Sequence, residues 1–496
     1  MMKKYYLTVD LGASNGRGIV FSFDGSRLTP EEEYRFPNAI VTRDGADRWD
    51  FTYLLSRIKE TLRDVAAKYP LRSVSIDTWG LDFGLLDQDG TLLADPVSYR
   101  DPRTEGVPER VCAVVPPEEL YRITGIQRLN GNTLYQLFAM REREPELLDR
   151  AATLLMMPDL LAYCLTGARS AEYTISTTTQ MLDITQRRWS RELLERLGLP
   201  SALLPPLVRP GCHASPLLPQ VCRELGLEEG LPLVKAASHD TASAIIALPT
   251  TQTAPLYVSS GTWSVLGTEL SEPLLCEAGY RGNFANEGGF GDSVRYCCSL
   301  TGLWLLQECV RIWRNRGISY DYATLDTMAQ SAPAFASLFD PQHPAVQGKC
   351  DMPAVISALC AENGTARPSD CGEFCRAIYE AIALNYRRAI EKLERITSRH
   401  YDTLYIVGGG SRAAFLNQCI ANATGKSVIA GLPEATAYGN AFAQLYYDKE
   451  FTELTAFRGM LLQTEPLRRY LPEDQALWNA AYTRFARLSD LEGANS

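Results

Sequence analysis

Two segments of one design sit about half a chain apart, and they restrict the fold of these 496 residues more than any other feature. In each, an apolar strand runs into a turn of small, hydroxyl or glycine residues and re-emerges as a second strand. The first has residues 6–10, then Gly12-Ala13-Ser14-Asn15-Gly16-Arg17, then residues 18–23 closed by the hairpin signal Asp24-Gly25. The second has Leu256-Tyr257-Val258, then Ser259-Ser260-Gly261-Thr262, then residues 263–268. Strand–turn–strand is a generic motif. Its recurrence at this distance predicts two related lobes with a cleft between them. The length agrees, since one core cannot serve so long a chain.

Between and after these segments, strands alternate with helical patterns. Asp50 can cap a helix over residues 52–67, and residues 74–76 form a strand ending at Asp77-Thr78-Trp79-Gly80. Phe374, Ile378, Ile382, Ala389, Leu393 and Ile396 share one face of a helix over 374–396, leaving Arg387, Arg388, Lys392 and Arg395 as a solvated face. A strand over 404–407 leads into Gly408-Gly409-Gly410, and a helix opens at Ser411 and runs to about 423. The alternation predicts an α/β layer architecture.

Bulk properties exclude several classes. A net charge of −10 argues against broad nucleic-acid binding. No apolar run reaches the ~18 residues of a membrane span. Asp10 interrupts any signal-peptide core, so a cytoplasmic protein is expected. Thirteen cysteines without zinc-like spacing read as reduced, packing thiols. Only four histidines in the chain argue against a multi-histidine metal site. There is no G-x-x-x-x-G-K-[ST] and no G-x-S-x-G.

The chemistry-bearing stretch is Ala236-Ala237-Ser238-His239-Asp240-Thr241-Ala242-Ser243-Ala244. It sets a carboxylate beside an imidazole with only small or hydroxyl neighbours, so a substrate can reach the acid. Asp240 can also be read as the cap of a helix starting at Thr241, where the helix terminus would keep it anionic. An accessible acid followed by a phosphate-type turn suggests deprotonation of a hydroxyl and phosphorylation of it. Asp10 beside the glycine turn can hold Mg²⁺ through water, or merely cap the hairpin. Trp79 and Trp263, each beside a turn, read as packing residues before sugar platforms. Asp77 and Asp82 either bind sugar hydroxyls or are satisfied loop carboxylates. Gly408-x-Gly410-x-x-Ala413 fits the relaxed dinucleotide fingerprint, but the next strand, 427–430, ends without the ribose-binding acid. A dehydrogenase is therefore the alternative reading.

In order, these segments resemble the FGGY family of carbohydrate kinases. The resemblance runs from Val9 to about Leu445 and includes Val9–Arg17, Ile76–Phe83, Pro96–Asp101, Asn132–Leu137, Ala237–Ala244, Ser259–Ser264, Asn286–Gly289, Gly302–Gln307, Val407–Gly410 and Glu434–Thr436. It implies two actin-like (ribonuclease H-like) α/β domains around an interdomain cleft. Residues 1–247 would form the sugar-binding domain and 248–496 the nucleotide-binding domain. Within the family the segments look most like members that move the γ-phosphoryl of ATP to the 1-hydroxyl of L-rhamnulose, in L-rhamnose catabolism. The resemblance makes Asp240 the general base, and Gly80, His239 and Ser299 ketose contacts. It makes Ala13, Ser14, Asn15, Gly16, Arg17, Thr262, Gln307 and Gly409 ATP contacts, and Asp10 the acid that orients Mg²⁺. Two departures are visible. Ser299 stands where those members usually carry Asn, and Leu129-Asn130-Gly131 replaces a usual Pro-Phe pair. Kinases of fuculose or xylulose remain alternatives, as does a sugar sensor without turnover. The oligomeric state is left open.

Overall fold

The computed structural model describes residues 3–348 and 350–493. The chain forms two compact α/β units, each built from three separate segments. The first comprises the chain up to Thr251 with Glu269–Tyr296 and Ala435–Thr464. The second comprises Gln252–Thr268, Cys297–Glu434 and the chain from Glu465 onward.

The first unit centres on a six-stranded sheet. Its strands are β1 (Lys4–Leu11), β2 (Asn15–Phe23), β3 (Leu28–Pro37), β4 (Leu71–Thr78), β5 (Ala214–Pro216) and β6 (Pro232–Val234), in the order β5-β6-β4-β1-β2-β3. β1–β2–β3 is antiparallel, β1 lies parallel to β4 and β4 to β6, and β5 closes the edge antiparallel. The second unit contains β7 (Leu256–Ser260), β8 (Trp263–Leu270), β9 (Thr403–Val407), β10 (Ser427–Ala430) and β11 (Arg468–Tyr470). There the order β8-β7-β9-β10-β11 repeats the same senses: an antiparallel hairpin, two parallel neighbours and an antiparallel edge. The duplication expected from the two turns is thus present in strand order as well as in sequence.

Local expectations hold with shifted ends. Asp50 caps the helix Phe51–Ala66 by accepting from the Tyr53 N–H. The strand over 74–76 extends to Leu71–Thr78 because both its faces are covered and its interior residues are buried. The second strand of the opening hairpin starts at Asn15, three residues earlier than expected, so Asn15, Gly16 and Arg17 are ladder residues and the turn proper is Gly12–Ser14.

Of the expected solvated face on the long helix Cys371–Thr397, Lys392 and Arg395 are exposed, but Arg387 and Arg388 are engaged. Arg388 bonds Asp340 at 2.7 and 3.0 Å and lies over the Phe485 ring. Arg387 sits 4.0 Å from the Tyr482 ring centroid and bonds Asn479. Both pin the helix to the C-terminal helix Gln475–Gly493, since a guanidinium can stack and donate at once. Helix 411–423 also differs: a 3₁₀ turn, Gly409–Arg412, precedes the α-helix Ala414–Thr424.

The linear division at 247/248 does not coincide with the compact units. The helix Ala435–Tyr447 packs in the first unit. It lies against the helix Asp240–Ile246 so closely that a Cβ on Gly439 would stand 1.8 Å from the Ser243 carbonyl oxygen. Gln444 donates to the Leu7 carbonyl at 3.0 Å and accepts from Ser73 Oγ at 2.6 Å, tying this late helix to β1 and β4. Among the described residues the cysteines form no disulfide, and eight of the thirteen are buried. No helix of the described residues is long and apolar enough to cross a membrane.

Candidate active site

The register of the first sheet gathers acids at the carboxyl ends of its strands. Asp10 pairs across the hairpin with Arg17 and lies beside Asp77 on parallel β4. Arg17 Nε and Nη2 bond Asp10 Oδ2 at 2.8 and 2.5 Å. Asp77 is fully buried; one oxygen accepts from Asn440 Nδ2, while its Oδ1 has no hydrogen-bond partner among the described residues. Burial pushes the Asp77 carboxyl well up, and the neighbouring Asp10 adds to it because two close carboxylates resist ionising together.

β4 also leads to the third acid. The Thr78 N–H donates to the Ser238 carbonyl at 2.9 Å, which fixes the loop before Asp240. The helix starts at Asp240 itself, with His239 in the cap position and no side-chain cap bond. This corrects the expected start at Thr241. Oδ1 of Asp240 instead accepts from the Thr241 N–H at 2.5 Å and Oγ1 at 3.0 Å. Asp240 keeps 29% of its side chain exposed. Its carboxyl is nevertheless raised, by burial first and by Asp10, against the opposing pull of His239 and Thr241. The carboxyl thus lies above its ordinary range, where the sequence reading expected a helix start to favour the anion.

His239 Nε2 lies 3.6 Å from Asp240 Oδ1. On the other side of the ring, Nδ1 meets Arg295 Nη2 at 2.9 Å and Glu287 Oε2 at 3.3 Å. Arg295 is wholly buried and bonds Glu287 Oε2 at 2.6 Å and the Gly288 carbonyl at 3.1 Å. Burial would raise the Glu287 carboxyl, but the buried Arg295 guanidinium beside it outweighs this and holds it at about 2.

Behind this loop lies a second buried carboxylate. Glu172 accepts from the N–H groups of Thr174, Ile175 and Ser238 at 2.9, 3.1 and 3.0 Å, and from Thr174 Oγ1 at 2.6 Å. Thr174 Oγ1 in turn accepts from the His239 N–H at 3.3 Å. Burial lifts the Glu172 carboxyl to about 7.

The second unit carries the glycine turns. A Cβ on Gly410 would lie 2.0 Å from Ser260 Oγ, and Gly408 has φ +84° with Ser260 O 2.8 Å from where its Cβ would be. Only glycine lets these two turns close on each other. Gly409 faces open space. Thr262 Oγ1 donates to Gln307 Oε1 at 3.1 Å, and the Leu303 and Trp304 N–H groups bond the Gly261 and Thr262 carbonyls at 3.0 Å each.

The structure thus brings Asp10, Arg17, Asp77, His239 and Asp240 into one unit. Gly80 lies there too, against Thr178 Oγ1 3.2 Å from its would-be Cβ. In the Gly12–Ser14 turn, the Gly12 N–H bonds the Asn15 carbonyl, and Asn38 bonds Gly12 and Ser14. Ser14 and Asn15 are exposed, and Ala13 is partly so. Thr262, Gln307 and Gly409 belong to the second unit, as does Ser299, partly buried on the strand Val294–Thr301. Asp82 is a satisfied loop carboxylate: Trp49 and Trp79 donate to it at 2.6 and 2.9 Å and Gln136 at 3.1 Å. Trp79 packs as expected, but Trp263, the first residue of its strand, is 40% exposed and is no packing residue. Sequence reasoning missed Arg295, Glu172 and Asn440. Glu287 was within a quoted segment, but nothing local marked it as His239's partner.

A sheet built on a repeated β-hairpin, with a partly exposed acid in one unit and glycine-lined turns in the other, agrees with a two-domain sugar kinase fold. Residues 5–247 match the N-terminal domain of the FGGY family of carbohydrate kinases and residues 256–447 its C-terminal domain. The chain belongs to the FGGY family of carbohydrate kinases. It is 39% identical to a rhamnulokinase of Bacteroides thetaiotaomicron, covering 98% of this chain and 99% of that one. It is 38% identical to a rhamnulokinase of Pectobacterium atrosepticum over 100% of this chain and 98% of the relative. Among solved structures, a ligand-bound xylulose kinase from Lactobacillus acidophilus aligns with TM-score 0.82 at 16% identity, covering 99% of each chain. A glycerol kinase from Plasmodium falciparum with ADP aligns with TM-score 0.79 at 14% identity, covering 98% of each. The dehydrogenase reading of Gly408–Ala413 is thereby set aside.

Proposed function

We propose that this chain transfers the γ-phosphoryl group of ATP to the 1-hydroxyl of L-rhamnulose, giving L-rhamnulose 1-phosphate, as a cytoplasmic step of L-rhamnose breakdown. The observation that carries the proposal is Asp240: a raised, partly exposed carboxylate with small neighbours, beside His239, in a chain so similar to rhamnulokinases. Asp240 accepts the proton of the attacking hydroxyl. His239 and Gly80, with Ser299, hold the ketose. Gly80 has no side chain to crowd it. The turn Ala13–Arg17, with Thr262, Gln307 and Gly409, contacts ATP, whose phosphates meet backbone N–H groups and the Thr262 hydroxyl.

Such transfers use a hard divalent cation, here Mg²⁺. That ion keeps several waters and needs only one or two carboxylates. Asp10 and the unpartnered oxygen of Asp77 fit that demand and would hold it. When bound, the ion supplies neutralisation of phosphate charge.

A coupled assay of ADP release over a panel of ketoses tests the reading. Turnover with L-rhamnulose well above that with fuculose, xylulose or ribulose is expected. Preference for one of those sugars would move the substrate, and ADP release with none would remove the kinase reading of this site.

A further inference from the structure

The ring of His239 meets a cation and an anion on the same edge. Arg295 Nη2 lies 2.9 Å from Nδ1, nearer than Glu287 Oε2 at 3.3 Å. A guanidinium offers only donors, and an imidazole nitrogen accepts only when it carries no proton. A proton on Nδ1 would therefore set two donors against each other, beside a wholly buried guanidinium that cannot turn to water. Glu287 Oε2 is the more distant partner of Nδ1, at 3.3 Å, and lies closer to the same Arg295 Nη2, at 2.6 Å. Its role is to neutralise Arg295 and hold it in place.

We infer that Arg295 is a positioning residue that fixes His239 as the neutral tautomer with its proton on Nε2. Nδ1 then accepts from Arg295, and the remaining Nε2–H is presented on the side of Asp240. The pair offers a ligand one donor and one acceptor side by side. A vicinal pair of sugar oxygens suits that: one surrenders its proton to Asp240, and its neighbour accepts from His239. The use of this pairing in catalysis rests on the kinase reading above; the tautomer itself does not.

The chain has four histidines, so the ¹⁵N–¹H side-chain spectrum of histidine-labelled full-length protein is assignable with a single His239→Asn variant. At neutral pH the His239 signals are expected in the Nε2–H pattern. An Nδ1–H or imidazolium pattern in the native protein overturns the inference, with or without any sugar turnover. Arg295→Met should lose the Nε2–H pattern and raise the ketose KM about tenfold, on the usual worth of one hydrogen bond to a charged group, with the ATP KM little changed. Arg295→Lys should restore part of the pattern. Should Arg295→Met not fold, Glu287→Gln carries the same question: the Nε2–H pattern is expected to persist without the carboxylate, and an Nδ1–H pattern in that variant overturns the inference. A catalytically inactive protein with the Nε2–H tautomer would sink the kinase reading and leave this inference standing.

Discussion

Asp240 and Ser299 hold the chemistry and the selectivity, respectively, of the proposed reaction. Asp240→Asn keeps the shape and removes the base, so kcat should fall by about 10²–10⁴-fold while ATP still binds, as checked by calorimetry. The raised Asp240 carboxyl also fixes a pH profile. The base works only when ionised, so kcat/KM should rise with pH, and its acid limb should lie above the ordinary carboxylate range; Asp240→Asn should abolish that limb. A limb at the ordinary Asp value would contradict the desolvated environment. Ser299→Asn places a longer, amide-bearing side chain at this position and should lower the L-rhamnulose KM several-fold, about the worth of one hydrogen bond. Steady-state kinetics on both sugar and ATP separate this from a general effect. Asp240 stood out in sequence because small neighbours surround it, and Ser299 only because the ordered motifs around it resemble the family's. Arg295 was not: its only mark is a fold that buries it beside His239, and an isolated Arg on a strand carries no such signal.

At the level of elements, the loop before Asp240 depends on Glu172, which ends a two-residue strand and caps the helix Tyr173–Thr177. Its carboxyl accepts three backbone N–H groups at once, so Glu172→Ala leaves buried donors without partners. A loss of about 2–4 kcal/mol and a lower kcat with ATP binding retained are expected, by denaturant unfolding and kinetics. Linkage gives a second readout. The folded carboxyl, at about 7, lies above its value in the unfolded chain. The folded state therefore holds the proton longer, and this group's contribution to stability falls as pH rises from about 5 to about 7, by up to about 1.4 kcal/mol per unit. Glu172→Gln cannot titrate, so its stability relative to the native protein should improve across that window; a flat difference would place the proton elsewhere. Element types were readable from periodicity and caps, as at Asp50. Ends were not, because ladder bonds extended β2 to Asn15 and β4 to Thr78 beyond their apolar cores. The solvated reading of Arg387 and Arg388 failed because the helix that covers them, 475–493, lies some ninety residues away, outside any local pattern.

At the scale of the molecule, the repeat of turns foretold the duplicated sheets, since both hairpins are local. The contribution of 435–464 to the first unit was not legible: it is made by Gly439, Asn440 and Gln444, residue types that packing alone turns into contacts. Gly439→Ala should lower the thermal midpoint and cost about 1–3 kcal/mol, because the clash is with backbone. A fragment of residues 1–251 should show little tertiary circular dichroism until a 435–464 peptide is added. A native-like spectrum from the fragment alone would show the late helix to be dispensable. The same helix sets an order of events in synthesis. Ribosomes add roughly 5–20 residues per second, so β1 and β4 are made tens of seconds before the Gln444 and Asn440 side chains that cover them exist. During that interval Asp77 lacks its amide partner and the Asp10–Asp77 pair stands open to water. A nascent or prematurely ended chain therefore carries the Gly12–Arg17 turn and the paired Asp10 and Asp77 before the amide that satisfies Asp77 exists.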